Sequence, residues 1–329
     1  MKERSAGIVI TKRIVSSFIV LFLLVSFIFI LLRVSPGDPS QKFISPELSP
    51  ELIKKISRSF NLDRPIIEQY ISFIGNIFTG DFGISYNHRL PVLEVIIQYL
   101  PFTLLLAFLS FSLQLIFAIT LNAAIYKRMN SYYDKLLSKL SITFFAVPTF
   151  VLGVLLIFLF SVQIDIFPSN GTRSIDFDSM NFVEKLWDYF IHLLLPLFTL
   201  SVGGASVFYK YLRDNIDEVY QKLFVVKLRS DGFTEKQIFW KHILPNSIMP
   251  LISVAGIELG FLLSGTLITE VIFGLPGMGR LTINSIFTRD YPLVVGCTFI
   301  SGMLMIFSTL IADLIKIKID KRLIKDLMN

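Results

Sequence analysis

Six stretches of this 329-residue chain are apolar for the length that a helix needs to cross a lipid bilayer, about 20 residues. They lie near 14–32, 101–126, 140–162, 189–209, 248–272 and 293–315. Hydrophobic residues make up 53% of the chain and charged residues only 17%, too few for a soluble protein of this size. Val34-Ser35-Pro36 follows the first stretch where a cleaved signal would show a small-x-small site, so it reads as a retained span. The expected fold is an all-α integral membrane protein with six transmembrane helices.

The basic residues orient the chain. Twenty of the 31 Lys and Arg fall in segments 1–13, 127–139, 210–247 and 316–329, 78 residues in all. The other 11 are spread over the 114 residues of 33–100, 163–188 and 273–292. Cytoplasmic loops carry the excess of Lys and Arg, so the first set is read as cytoplasmic, with both termini inside. The net charge of +6 is then a topology signal. The bilayer is the expected partner and nucleic acid is not. The single Cys297 excludes a disulfide framework, and His88, His192 and His242 are too scattered for a ligand cluster, so no metal site is expected.

Four parts follow. Residues 1–32 are an N-terminal cytoplasmic segment and the first span. Residues 33–100 read as an extracytoplasmic helical cap, with a turn at Ser35-Pro36-Gly37-Asp38-Pro39 and amphipathic stretches at Pro50–Phe60 and Pro65–Phe78. Residues 101–315 are a core of five spans, and 316–329 a basic cytoplasmic tail.

The one sizeable cytoplasmic loop, 210–247, is patterned as two helices. Asn215 with Glu218 reads as the start of a helix running to about Ser230. Gly232 sits where a helix end takes a left-handed residue. Thr234 with Gln237 resembles a capping box. Phe239 with Ile243, and Trp240 with Leu244, are spaced i,i+4. Pro245 and Pro250 return the chain to the membrane. The loop is a rigid elbow or an amphipathic segment lying on the bilayer.

Gly232, Leu244 and Pro245 have the spacing of the signature loop of ATP-binding-cassette importer permeases. His242, Asn246 and Pro250 match its peptide and nickel branch. The motif's Glu-Ala-Ala positions fall on Val226, Lys227 and Leu228, a departure from the family pattern. Further matches run through the chain: Arg33 to Pro39, Leu62-Asp63-Arg64-Pro65, Gly80 to Ser85, Val147-Pro148, His192 with Pro196, Glu270 with Phe273, Pro276-Gly277-Met278-Gly279-Arg280-Leu281 and Arg289-Asp290-Tyr291-Pro292. In this order they resemble the B-type subunit of dipeptide, oligopeptide and nickel permeases.

The resemblance implies a bacterial or archaeal plasma membrane, a homologous second permease subunit, two cytoplasmic ATPases and an extracytoplasmic substrate-binding protein. No Gly-x4-Gly-Lys-Ser/Thr phosphate loop is present. ATP and Mg are therefore expected in the partner ATPases, with no cofactor and no catalysis here. The implied ATPase-coupling residues are Val226, Lys227, Leu228, Arg229, Gly232, Phe233, His242, Leu244 and Pro245. Phe233 and the pair Phe239 and Trp240 are candidate apolar anchors, with Arg229, Lys236 and Lys241 as rim charges. Pro276, Gly277, Gly279 and Arg280 fall near the family's external gate. Peptide is the expected cargo, with nickel or a metal–metallophore complex as the alternative. A passive channel or an intramembrane enzyme would have no use for a docking elbow.

Two polar residues at membrane depth are candidates for the translocation path. Glu258 lies near the middle of the fifth span, where a carboxylate costs about 2.5 kcal/mol or more on insertion scales. It either meets a cationic group on the cargo or is protonated at a helix contact. Gln114 in the second span, like Asn122, either lines the path or hydrogen-bonds between helices.

Overall fold

The computed structural model describes residues 2–34 and 65–319. The Ser35–Pro39 turn, the 50–60 stretch and the end of the basic tail lie outside the described residues. Within them the chain is helical, with one isolated antiparallel bridge between Ile84 and Pro91. Helices α1 (Lys2–Val34), α2 (Ile66–Phe78) and α3 (Val92–Ile125) come first. Next are α4 (Tyr132–Ala146), α5 (Thr149–Leu156), α6 (Phe182–Tyr220), α7 (Leu223–Ser230) and α8 (Glu235–Ile238). The chain ends in α9 (Leu244–Gly265), α10 (Leu267–Ile272), α11 (Met278–Phe287) and α12 (Tyr291–Ile319).

Among the described residues, five helices are long and apolar enough to cross a membrane: Thr11–Leu31, Val92–Arg128, Phe182–Tyr220, Glu235–Ile272 and Tyr291–Ile319. The expected third span, 140–162, is instead a pair, Tyr132–Ala146 and Thr149–Gln163, bent by 96°. The cause is local. Pro148 lacks the N–H for the helical ladder, and its ring pushes Val147 into an extended conformation, φ −77° and ψ 121°. Pro148 then opens α5, its carbonyl accepting from the Leu152 N–H at 3.1 Å.

Helix α6 corrects a second expectation. No helix starts at Asn215; α6 runs unbroken for 39 residues, about 58 Å at 1.5 Å per residue. That is almost twice the ~30 Å of a hydrocarbon core, so one end must stand clear of it. The stretch after Tyr209 contains no helix breaker. Ion pairs Lys210–Asp214 at 2.9 Å and Lys222–Glu218 at 3.0 Å follow the i,i+4 rule along it. Asn215 serves a tertiary purpose, donating its amide to the Ser247 carbonyl at 3.1 Å.

Two seams organise the bundle. Along the first, α3 meets α6 through side chains that bond the other helix's backbone. Ser201 Oγ donates to the Ser110 carbonyl at 3.3 Å, Gln114 Nε2 to Leu200 at 3.1 Å and Asn122 Nδ2 to Tyr209 at 3.2 Å. Along the second, α9 and α12 approach closely at glycine. A Cβ on Gly256 would collide with Ala312, and one on Gly260 would lie 2.7 Å from Ser308 Oγ. Helix α1 joins through Leu21 and Val25, packed near Val295, and through the ion pair Arg13–Asp313. At one end of α6, Arg213 grips the buried Asp134 of α4 with Nη2 at 2.8 Å and Nε at 3.2 Å.

Gly256→Ala and Gly203→Ala add the same methyl to two helix interiors. Nothing lies within 4 Å of a Gly203 Cβ. The Gly203 change should stabilise by up to about 1 kcal/mol through helix propensity. The Gly256 change should destabilise by roughly 1–3 kcal/mol through overpacking. Thermal unfolding of the solubilised chain should order the variants Gly203→Ala, wild type, Gly256→Ala.

Candidate functional site

The elbow is built by backbone rules acting on few residues. Helix α7 stops at Gly232, which has φ +85°. The Gly232 N–H donates to Arg229 at 3.1 Å, and the Phe233 N–H reaches back to Leu228 at 3.1 Å, the paired bonds of a Schellman cap. No atom lies within 4 Å of where a Gly232 Cβ would be, so the position requires glycine for its dihedral rather than for space. The capping box then starts α8: Thr234 Oγ1 accepts from the Gln237 N–H, and Gln237 Oε1 accepts from the Thr234 N–H at 3.0 Å.

Three side chains lock α7 against α8. Arg229 Nε donates to Glu235 Oε1 at 2.8 Å, and its guanidinium lies 4.8 Å from the Tyr220 ring centre. The Tyr220 hydroxyl bonds the same carboxylate. The Glu235 bond holds the Arg229 guanidinium above its ordinary pKa.

Helix α8 does not turn back at the prolines. It passes through a widened turn, Phe239–Ile243, into α9, so the second elbow helix and the fifth span are one rod. Pro245 has no N–H to offer the turn before it, and the widened turn absorbs the defect. Asn246 Nδ2 donates to the His242 carbonyl at 2.6 Å, and Ser247 Oγ to Ile243 at 2.8 Å.

The elbow has two faces. Val225, Ile238, Phe239, Ile243 and Leu244 are buried against Phe208, Leu212 and Ile216, and Phe239 stacks on Tyr126 at 4.1 Å. Leu228 is half-buried on this side. Leu223 (87% exposed), Val226 (53%), Trp240 (46%) and Phe233 (41%) form the outer face. Lys227, Arg229, Lys236, Lys241 and Pro245 are exposed around it, while His242 is half-buried, edge-on to Phe233 at 5.9 Å. The Phe239 and Trp240 pair is thus split. Phe239 is core and only Trp240 faces out. Leu244 and Leu228 hold the elbow to the bundle.

At mid-span, Gly256 and Gly260 face α12, and Glu258 lies about 200° around the helix from Gly256. It is half-buried beside the Gln114 side chain. Gln114 is fully buried and moulded to α6, where a Cβ on Gly204 would strike its amide. Gln114 Oε1 and Ser110 Oγ have no hydrogen-bond partner among the described residues.

At the end of the bundle away from the elbow, the loop Leu275–Arg280 closes over Glu270. Pro276 and Arg280 are exposed, Gly277 and Gly279 buried. Arg280 Nη1 donates to the Gly274 carbonyl at 2.5 Å. The Glu270 carboxylate is 0% exposed and accepts from Thr103 Oγ1 at 2.7 Å, Thr266 Oγ1 at 2.9 Å and the Arg280 N–H at 3.0 Å. In the sequence it stands only as one letter of the Glu270 with Phe273 motif. The signal was the pair Gly277 and Gly279, since a Cβ on either would run into this carboxylate. Asp290 was missed similarly. It is also 0% exposed and accepts from Ser85 Oγ at 2.5 Å and the Asn87 N–H at 3.0 Å. His192 Nδ1 bonds the Asp188 carbonyl at 2.8 Å on its own helix.

Residues 114–325 match the family model described as the inner membrane component of binding-protein-dependent transport systems, and residues 8–107 match that of its N-terminal region. The chain is 32% identical over 296 residues to the oligopeptide transport system permease protein AppB of Bacillus subtilis, covering 90% of this chain and 92% of that one. It is 28% identical over 314 residues to the dipeptide transport system permease protein DppB of Lactococcus lactis, covering 95% and 98%. In fold it is similar to a structure of the MetNI methionine ABC transporter, with TM-score 0.51 and 16% identity over 71% of this chain and 97% of the other.

Gly232→Ala should cost about 1–2 kcal/mol from a left-handed backbone alone, and Gly232→Asn less. Hydrogen exchange should show the Gly232 and Phe233 amides losing protection in that order, with the α6 amides unchanged.

Proposed function

The chain belongs to the inner membrane components of binding-protein-dependent transport systems, and from that premise we propose that it forms half of a peptide translocation pathway, driven through its elbow by separate ATPases. The observation that carries this reading is the two-faced elbow. Its inner face is continuous with the bundle core and its outer face is apolar, exposed and ringed by lysine and arginine. That is the anatomy of a docking patch, an apolar centre with a polar rim. Because α8 and α9 are one rod, a push on Trp240 moves the fifth span as a lever, a rigid-body transition between two states. Val226 and Lys227 occupy motif positions on this outer face, and Leu228 faces inward.

The elbow lies on the cytoplasmic side by its basic loops, and Pro276–Arg280 at the extracytoplasmic mouth. A second permease subunit completes the path and a substrate-binding protein delivers cargo to that mouth. ATP and Mg²⁺ are bound by the ATPases, and this chain is non-catalytic. Peptide is supported as cargo by the oligopeptide and dipeptide permeases it resembles. Glu258 puts a half-buried carboxylate at mid-membrane, where an ammonium group on a peptide would find an oxygen acceptor, while Gln114, fully buried in the seam of α3 with α6, backs it from behind.

Two experiments test this. A tagged chain purified from its own membranes should bring ATPase subunits with it, and Trp240→Asp or Leu223→Asp should remove them while the chain remains membrane-inserted. Retention of the ATPases by both variants would refute the docking face. Glu258→Gln should slow uptake of a lysine-containing tripeptide several-fold more than that of trialanine. Equal rates for the two peptides in that variant and in the wild type would remove Glu258 from the path.

A further inference from the structure

We propose that Glu270 is a positioning residue that fixes α11 to α3, so that the two move as one body during transport. The proposal rests on the transport reading above.

Helix α11 has an unusual N-terminus. The first N–H groups of a helix are ordinarily capped by the residue just before it. Here that residue is Gly277, which has no side chain. The cap comes from elsewhere. Glu270 Oε2, on α10, accepts from the Arg280 N–H at 3.0 Å, and Thr103 Oγ1, on α3, accepts from the Met278 N–H at 2.8 Å. Thr103 in turn donates to Glu270 Oε1 at 2.7 Å. One hydroxyl and one carboxylate thus join three helices at a point with no exposure to solvent. The carboxylate's charge faces the positive end of α11. The lack of side chains at Gly277 and Gly279 is what makes room for it.

The other end of α11 is tied to the same unit. After Arg289, which has φ +54°, Asp290 binds Ser85 and Asn87. Those residues sit in a hairpin closed by Ser85 N–H to Leu90 at 2.9 Å and Val92 N–H to Gly83 at 3.0 Å, leading straight into α3. Between the two ties, Met278 and Leu281 pack with Val92, Val95 and Ile96. Helix α11 is therefore fastened to α3 at both ends and along its length, and Glu270 supplies the directional bond nearest the Pro276–Arg280 loop.

The test uses the assembled transporter with spin labels at Leu93 and Phe287, both exposed. The labels go on a Cys297→Ala background, because Cys297 is the chain's one cysteine and is buried. Wild type should give one narrow 93–287 distance, the same with no nucleotide and with trapped ADP–vanadate. Glu270→Gln keeps the shape but turns an N–H₂ toward a Thr hydroxyl or the Arg280 N–H, and should broaden the distribution. Thr103→Val should do the same and Thr103→Ser should restore it. If Glu270→Gln does not assemble, Thr103→Val carries the test. A wild-type distance that changes between the two states would overturn the proposal, as would wild-type distributions in Thr103→Val and in any Glu270→Gln that assembles. A Tyr211–Phe287 pair, both exposed and outside the docking face, reports the transport reading separately: no change there on trapping sinks coupling, whatever the 93–287 pair does.

Discussion

A backbone inside a bilayer has no water to bond, so each break in a helix must be repaired by the protein itself. The structure can be read as a series of such repairs. Pro148 breaks the third apolar segment, and the chain answers with a new helix start rather than a frayed end. Pro245 removes a donor, and a widened turn with side-chain bonds from Asn246 and Ser247 takes up the slack. Gly277 cannot cap α11, and a carboxylate from α10 does so. The seam of α3 with α6 uses the same chemistry, with Ser201, Gln114 and Asn122 each bonding a carbonyl on the opposite helix.

The repairs mark the limits of what was legible in the sequence. Apolar length located the spans, because hydrocarbon thickness is a property of the bilayer rather than of the fold. Gly232 and the Thr234–Gln237 box were legible because caps are local, spelled within four residues. The 96° bend at Val147-Pro148 was not, since proline inside an apolar run also occurs in unbroken helices, as Pro196 in α6 shows. Asn215 was misread as a helix start because its partner, Ser247, lies 32 residues away. Glu270 and Asp290 draw in partners more distant still in sequence, Thr103 for the one and the Ser85–Asn87 hairpin for the other. The split of Phe239 from Trp240 also needed tertiary information: adjacent residues on a helix differ by about 100° in direction, and only the position of Tyr126 decides which one is inside.

The two ends of the bundle are held by different means. At the elbow the grip is mostly apolar, with Ile238, Phe239 and Ile243 sunk among α6 residues. The ion pair of Arg213 with Asp134 lies close by in sequence to that packing. At the opposite end the grip is two buried carboxylates with short, directional bonds. An apolar contact can slide by a fraction of a turn at little cost, whereas a hydrogen-bonded carboxylate without solvent has one good geometry. The chemistry therefore permits adjustment at the elbow and resists it at the Pro276–Arg280 loop.

The widened turn at Phe239–Ile243 has a consequence for heredity of form. It holds one more residue than an α-helical turn, and one residue corresponds to about 100° of rotation. The direction in which Trp240 points and the direction in which Glu258 points are thus phased by an insertion, not by a continuous helix. Removing one of its five residues would close the turn to α-helical width, return the Pro245 defect to the ladder and swing α8 past α9 by about 100°. Gaining or losing one codon there would therefore re-aim the exposed Trp240 face against the Glu258 face of the same rod.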